Sequence, residues 1–362
     1  MRLFECRACA HLLSFEETDC PGCQRRLGFV PANGQLCALD LLEERSSGAP
    51  LVLAHAMGGA SYRFCANRSH GVCNWLIPSD NPEQLCLCCR TNRIIPDLSD
   101  QVCNERWHKI ELAKHRLFYS LLRLGLDVPN KIDDPAAGLS FSFLADSSNM
   151  RVMTGHEDGV ITLNIVEADC VERERARADM HEPYRTLLGH FRHEIAHYYW
   201  DRLVRDRGRV WECRAVFGDE SIHYAAALQR YYAGNVPDDW RERHVSQYAA
   251  AHPWEDFAET FAHHLHMIDT LETAAVFGVH IQPKTRQRGI LETAINFDPY
   301  RVPSFKDVIR AWGPLTVAMN SINRSMGQPD LYPFTLGPGV INKLAYIHHL
   351  LVDEAMPRQA AA

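Results

Sequence analysis

The segment Gly189-His190-Phe191-Arg192-His193-Glu194-Ile195-Ala196-His197-Tyr198-Tyr199-Trp200 contains the pattern His-Glu-x-x-His. Two imidazoles four residues apart can share one metal ion if the backbone between them is helical, because such positions lie on one face. Glu194, at the adjoining position, can then touch a metal-bound water without ligating the ion itself. Two ligands and a base on one turn are the minimal equipment for zinc hydrolysis. His190 and His193 form a rival pair at i, i+3. That pairing leaves no acid in the Glu194 position, and His190 to His197 spans two turns, too far for one ion. His193 and His197 are therefore preferred.

The surrounding residues predict the required helix, since Leu187, Leu188, Phe191, Ile195, Tyr198 and Tyr199 recur at helical spacing. A chain of 362 residues can bury a large core and suggests two or three domains. Its formal net charge of −7 supplies no global field that would draw it to nucleic acid or an anionic membrane. Met1-Arg2-Leu3-Phe4-Glu5-Cys6 lacks the apolar core of a signal peptide, and Pro50-Leu51-Val52-Leu53-Ala54 is soon broken by His55. No apolar run approaches the ~18 residues of a membrane span. The expectation is a cytoplasmic protein without membrane attachment.

Thirteen cysteines in such a compartment point to metal ligation rather than disulfides. Eleven of them precede residue 104, which marks a cysteine-rich N-terminal module followed by a region of different character. Cys6-Arg7-Ala8-Cys9 and Cys20-Pro21-Gly22-Cys23 are two C-x-x-C knuckles whose four thiolates can complete a tetrahedral structural zinc site. So short a segment cannot fold on its own core, and metal affinity must supply folding energy. Arg2, Arg7, Arg25 and Arg26 balance Glu5, Glu16, Glu17 and Asp19, which removes the simplest case for nucleic-acid binding here. Cys65, Cys73, Cys86 and Cys89 form a second candidate zinc site, with a wider first pair and Cys88 as the odd thiol. Cys37, Cys103, Cys170 and Cys213 are expected as packing cysteines.

Asn81-Pro82 and Ile95-Pro96-Asp97 read as turns and end this region near residue 98. The predicted organisation is a zinc ribbon at 1–30, a second cysteine-rich module at 31–98, a metal-bearing domain at 99–356 and a disordered tail at 357–362. Trp107, Ile110, Ala113, Leu117, Leu121 and Leu124 form one stripe of a long helix closed by Gly125. Leu139, Phe141 and Phe143 alternate with serines as a strand. Gly155 to Gly159 reads as a turn, and Ile161, Leu163 and Ile165 as another strand. The charged run from Glu172 to Asp179 reads as solvated surface. Later, Phe305 to Met326 and Val340 to Val352 read as amphipathic helices. A helix, strands and then a metal-bearing helix describe the upper half of a zincin, an α+β fold. There an extended substrate pairs with a sheet edge, which we place at residues 160–165.

A catalytic zinc needs a third protein ligand and an open position. Gly at 200 and His at 203 would mark a metzincin; Trp200 and Leu203 stand there instead. The better source is Tyr248 to Leu265, where Pro253 followed by Glu255 and Asp256 is good helix-start chemistry. Phe257, Phe261 and Leu265 form its apolar stripe. Glu255 and Glu259 share another face, and like charges one turn apart are unfavourable unless something relieves them. A metal on Glu255, and a histidine N–H on Glu259, would relieve both. His252, His263, His264 and His266 are rival ligands.

His193-Glu194-x-x-His197 followed by Glu255-x-Phe257-Ala258-Glu259 resembles the gluzincins, and especially their anthrax-lethal-factor-like branch. That branch carries a Tyr seven residues before its third ligand, the place of Tyr248. The whole chain also resembles a bacterial family of zinc-binding metallopeptidases with N-terminal zinc-ribbon cysteines. It departs from thermolysin-like gluzincins in having Trp254 before Glu255 and Glu259 where they carry Asp. The resemblance implies peptide-bond hydrolysis, with His193, His197 and Glu255 on one catalytic zinc, Glu194 as general base and Tyr248 donating to the oxyanion. With the two cysteine sites, three zincs per chain are expected. The implied partner is a protein or peptide substrate, and the ribbons offer a surface for a protein partner. Two other classes remain open: an interaction protein with a degenerate zincin core, and a non-peptide zinc amidohydrolase.

Overall fold

Short β-strands punctuated by cysteine knuckles, then long helices, succeed one another along the chain. The computed structural model describes residues 1–43, 51–54, 60–147, 151–179, 185–284 and 288–355. The expected disordered tail lies outside them. The chain divides into two compact units, Met1–Arg123 with Asp127–Asp169, and Leu124–Leu126 with Cys170–Ala362.

In the first unit, β1 (Phe4–Glu5) and β2 (Leu12–Leu13) pair antiparallel around the first knuckle. Strands β3 (Leu27–Val30), β4 (Gln35–Glu43), β5 (Leu51–Ala54), β6 (Ser61–Phe64) and β7 (Leu76–Pro78) form an antiparallel meander in chain order. A parallel bridge between Phe29 and Trp75 brings the first of these strands back to the last. Gly28 permits that approach, since a Cβ there would sit 2.6 Å from the Leu76 side chain. Val30, Cys37, Leu39, Val52, Tyr62, Phe64 and Leu76 fill the interior.

A second sheet combines β8 (Asn92–Ile94), β9 (Ser140–Leu144), β10 (Gly155–Glu157) and β11 (Val160–Asn164) in the order β10-β11-β9-β8. This corrects the expected edge: β11 is an interior strand. Asp158, at φ +47°, and Gly159, at φ +77°, reverse the chain so that β10 folds back and takes β11's outer side. Residues 155–157 thus belong to a strand, and only 158–159 to the turn. Helix α1 (Gln101–Leu124) buries the predicted stripe, with Phe118 against Phe141 of β9, and ends at Gly125. That helix also buries Lys114 completely, its ammonium held 3.0 Å from Glu111 and bonded to Asn92 of β8. Both partners and the Phe141 and Phe143 ring faces offset its desolvation.

The second unit is helical. The charged run forms α2 (Cys170–Asp179), and the His-Glu-x-x-His segment forms α3 (Leu187–Tyr199), capped by Thr186 Oγ1 accepting from Gly189 N at 3.0 Å. The helix continues through a π-helical turn, Trp200–Arg205. Then come α4 (Val210–Phe217), α5 (Tyr224–Tyr232), α6 (Trp240–Arg243) and the long α7 (Pro253–Val276). Helices α8 (Phe305–Ser325) and α9 (Pro338–Ala355) follow and pack on α7. The central pair is α3 and α7, running antiparallel. Tyr199 stacks on Phe261 at 6.0 Å, and Arg192 pairs with Asp269 at 2.6 Å. Phe257, Phe261 and Leu265 are fully buried, each worth about 1.5–3 kcal/mol of transfer free energy, and this fixes which face of α7 turns toward α3.

Candidate active site

Helix α3 presents His193, Glu194 and His197 on one turn, and α7 meets it with Glu255 and Glu259. Helical spacing decides the first set and the antiparallel packing of the two stripes decides the second. His193 Nε2 stands 3.2 Å from His197 Nε2 and 3.0 Å from Glu255 Oε2, and His197 Nε2 is 3.7 Å from Glu255 Oε1. Ligands about 2.0 Å from a tetrahedral zinc stand about 3.3 Å apart, so these separations suit one ion. Glu255 is 1% exposed, and its Oε2 has no hydrogen-bond donor among the described residues. A buried carboxylate oxygen beside two imidazole nitrogens suits a cation, and two neutral imidazoles with one carboxylate are a donor set zinc takes.

The neighbours orient these groups. His193 donates from Nδ1 to Glu259 Oε1 at 2.8 Å, which turns Nε2 toward Glu255 and His197. Glu259 Oε2 accepts from Ser246 Oγ at 2.6 Å, and Ser246 Oγ accepts from Ala249 N at 3.1 Å. Burial pushes the Glu255 carboxyl up, but the His197 and His193 imidazoles and the Tyr224 hydroxyl outweigh it and hold it well below the usual carboxylate range. Glu259, also raised by burial and lowered more by His193, falls to about 2. Tyr248 lies on a short turn after Ser246, its ring centroid 6.0 Å from that of His193. Burial first, and then the Glu255 charge, raise both the Tyr248 and Tyr224 hydroxyls, and Glu194 adds to both. Both phenols therefore stay protonated and able to donate.

The rival histidines are engaged elsewhere. His252 caps α7, its Nδ1 accepting from Trp254 N at 3.0 Å while its Nε2 donates to Ile222 O at 3.1 Å. His263 bonds Tyr332, His264 bonds His348, and His266 bonds Arg192. Sequence reasoning missed Ser246 and Tyr224, whose hydroxyl donates to Glu255 Oε1 at 2.7 Å. No spacing rule links residues 31 apart, so only a prediction of α5 against α7 could have found it. It also missed Lys343 of α9, which donates to Asp256 at 2.5 Å and anchors the start of α7.

In the first unit, Cys6, Cys9, Cys20 and Cys23 converge, as do Cys65, Cys73, Cys86 and Cys89. Sulfur separations of 3.8 Å (Cys6–Cys23), 3.6 Å (Cys9–Cys20) and 3.7 Å (Cys73–Cys86) match the ~3.8 Å between thiolates about 2.3 Å from a tetrahedral zinc. The wide Cys65–Cys73 spacing holds a helical turn, Ala66–His70, closed by Gly71 at φ +72°. Cys88 is buried beside Glu111 and His115. There Glu111 is already paired with Lys114, and His115 Nε2 lies 3.9 Å from Cys89 Sγ, so this group suits support of the second cysteine site. Cys37 and Cys213 are buried as expected. Cys170 is exposed and Cys103 half-buried, which corrects their assignment to the core: both sit in the first turn of a helix.

Uncharacterised proteins of Mycobacterium bovis and Mycobacterium tuberculosis are 39% identical to this chain over 358 residues, covering 99% of it and 97% of theirs. No solved structure matches it significantly. Residues 3–100 match a family described as a zinc-ribbon domain. Residues 103–350, which carry the α3–α7 site, match the family described as "Putative zinc-binding metallo-peptidase", and the chain belongs to that family.

Proposed function

We propose that this chain is a gluzincin-type zinc peptidase in which His193, His197 and Glu255 hold the catalytic ion. The observation that carries the reading is the convergence of those three buried groups from two helices, one carboxylate oxygen lacking a donor. When bound there, zinc lowers the pKa of a water from ~16 toward ~7 and polarises the scissile carbonyl. Glu194 accepts the proton of the attacking water on its carboxylate and delivers it to the departing amine nitrogen. Tyr248 donates its O–H to the oxyanion that forms at the carbonyl. Glu259 and Ser246 keep the Nδ1 proton on His193, so Nε2 remains a ligand. The lethal-factor-like subtype is favoured by Tyr248, seven residues before Glu255.

Two structural zincs, on the two cysteine sets, complete the proposed content of three per chain. The ribbons are proposed to present a surface to a protein partner, and the working compartment is proposed to be the cytoplasm. No helix among the described residues is long and apolar enough to cross a membrane. The test is peptide-library hydrolysis by the zinc-loaded chain, with products identified by mass spectrometry. Glu194→Gln should keep three zincs and lose about 10²–10⁴-fold in rate. Full hydrolysis by that variant would refute the base. Cleavage of small amides but of no peptide would refute the substrate class.

A further inference from the structure

Glu255 has two carboxylate oxygens in different circumstances. Oε1 accepts the Tyr224 hydroxyl at 2.7 Å and stands 3.7 Å from His197 Nε2. Oε2 lies closer to the imidazoles, 3.0 Å from His193 Nε2, and has no hydrogen-bond donor among the described residues. A carboxylate with both oxygens free can take a cation through either or both. Here one oxygen is occupied by a donor and the other is left for the ion.

We infer that Tyr224 is a positioning residue that restricts Glu255 to ligating through Oε2 alone, keeping one coordination position open for water and substrate. This rests on the reading of Glu255 as a zinc ligand. An open position is what separates catalytic from structural zinc sites, and a second carboxylate oxygen would compete for it. The hydroxyl is held in place from several sides. Tyr224 opens α5, whose start is capped by His223 Nδ1 accepting from Ala226 N at 3.2 Å. Its ring packs edge-on against His252 at 5.1 Å and Trp254 at 6.0 Å, on either side of Pro253. His252 in turn ties Ile222 O to the start of α7. The donor and the carboxylate it holds are thus fastened to the same helix end, and a preorganised donor loses little entropy on engaging its acceptor.

The test uses the full chain with cobalt(II) in place of zinc, read as the visible absorption difference between each protein and Glu255→Ala. That subtraction removes the cysteine sites. Tyr224→Phe removes only a hydroxyl from a residue 39% exposed, so folding should survive, and far-UV circular dichroism with thermal unfolding of the zinc-loaded chain checks it. The wild-type difference spectrum should show the intense bands of a four-coordinate ion. In Tyr224→Phe those bands should weaken as Oε1 enters as an additional ligand, and zinc affinity measured by chelator competition should change by about 10-fold. Tyr232→Phe, at the exposed end of the same helix, should match the wild type in both.

Identical spectra and affinities for Tyr224→Phe and wild type would overturn the inference, as would an equal change in Tyr232→Phe. If Glu255→Ala bound as much metal as the wild type, with no difference spectrum, both this inference and the peptidase reading would fall. Loss of metal in Glu255→Ala with an unaltered Tyr224→Phe would sink only the inference.

Discussion

His193 Nδ1 lies 2.8 Å from Glu259 Oε1, one helical turn beyond Glu255, which approaches the other nitrogen of the same ring. The two acids of α7 therefore grip one imidazole from opposite sides. That geometry explains why like charges at i, i+4 coexist on a buried helix face: each carboxylate faces its own nitrogen of the one ring set between them. Burial pushes the His193 ring down, but both carboxylates outweigh it and hold its pKa well above the usual imidazole value, so an ion binding at Nε2 would displace a proton from the ring.

Replacing Glu259 should therefore act on metal affinity. Glu259→Gln should weaken zinc binding about 10–100-fold, the usual cost of losing a partner behind a ligating histidine. Ser246→Ala should cost less, because Glu259 keeps its bond to His193. Chelator competition measures both, and equal affinity across all three proteins would remove any role for this chain of bonds.

The cysteine sites make separable predictions. Cys9→Ser and Cys86→Ser should each lower zinc content by one ion per chain, while Cys88→Ser should leave it unchanged. Cys86 is enclosed and Cys9 exposed, so the former should lower the melting temperature more. Elemental analysis with thermal unfolding checks this. Loss of an ion in Cys88→Ser would place the odd thiol among the ligands.

Stability should fall with acid through the buried histidines of α7. Burial pushes His263 from 6.5 to about 4, against the opposing pull of Glu259. His264 and His266 shift the same way, chiefly by burial. Between those two pH values the unfolded chain binds a proton at His263 that the folded chain does not. Its stabilising contribution is complete above pH 6.5 and is lost as pH falls toward 4, a loss of about 3 kcal/mol. Urea unfolding of wild type and His263→Gln should show the gap between them narrowing from pH 7.5 to pH 4.5. Acid also releases zinc, but from both chains, so the difference isolates the histidine. A gap independent of pH would exclude His263 as the titrating group.

Much of the site was legible because its parts are local. One turn of helix carries His193, Glu194 and His197, and one turn of another carries Glu255 and Glu259, so periodicity alone could expose them. Tyr224, Ser246 and Lys343 reach their partners across 31, 13 and 87 positions, where no periodicity applies. The sheet edge was misplaced for a related reason. Alternating apolar residues identify β11 as a strand but not its neighbours, and the two-residue reversal at Asp158-Gly159 gave the edge to β10. Lys114 lies on an apolar helix face that composition would leave to hydrophobic residues; three separate elements supply its partners.

By itself the sequence determined the candidate ligand types, the helices that carry them and the cysteine knuckles, since these follow from spacing along a regular backbone and from the chemistry of each side chain. Only the tertiary structure decided which oxygen of Glu255 accepts the Tyr224 hydroxyl, which acids flank His193, and which histidines are spent on caps and buried pairs. Those choices depend on how α3, α5, α7 and α9 pack, and packing is set by the whole buried surface, not by any one segment.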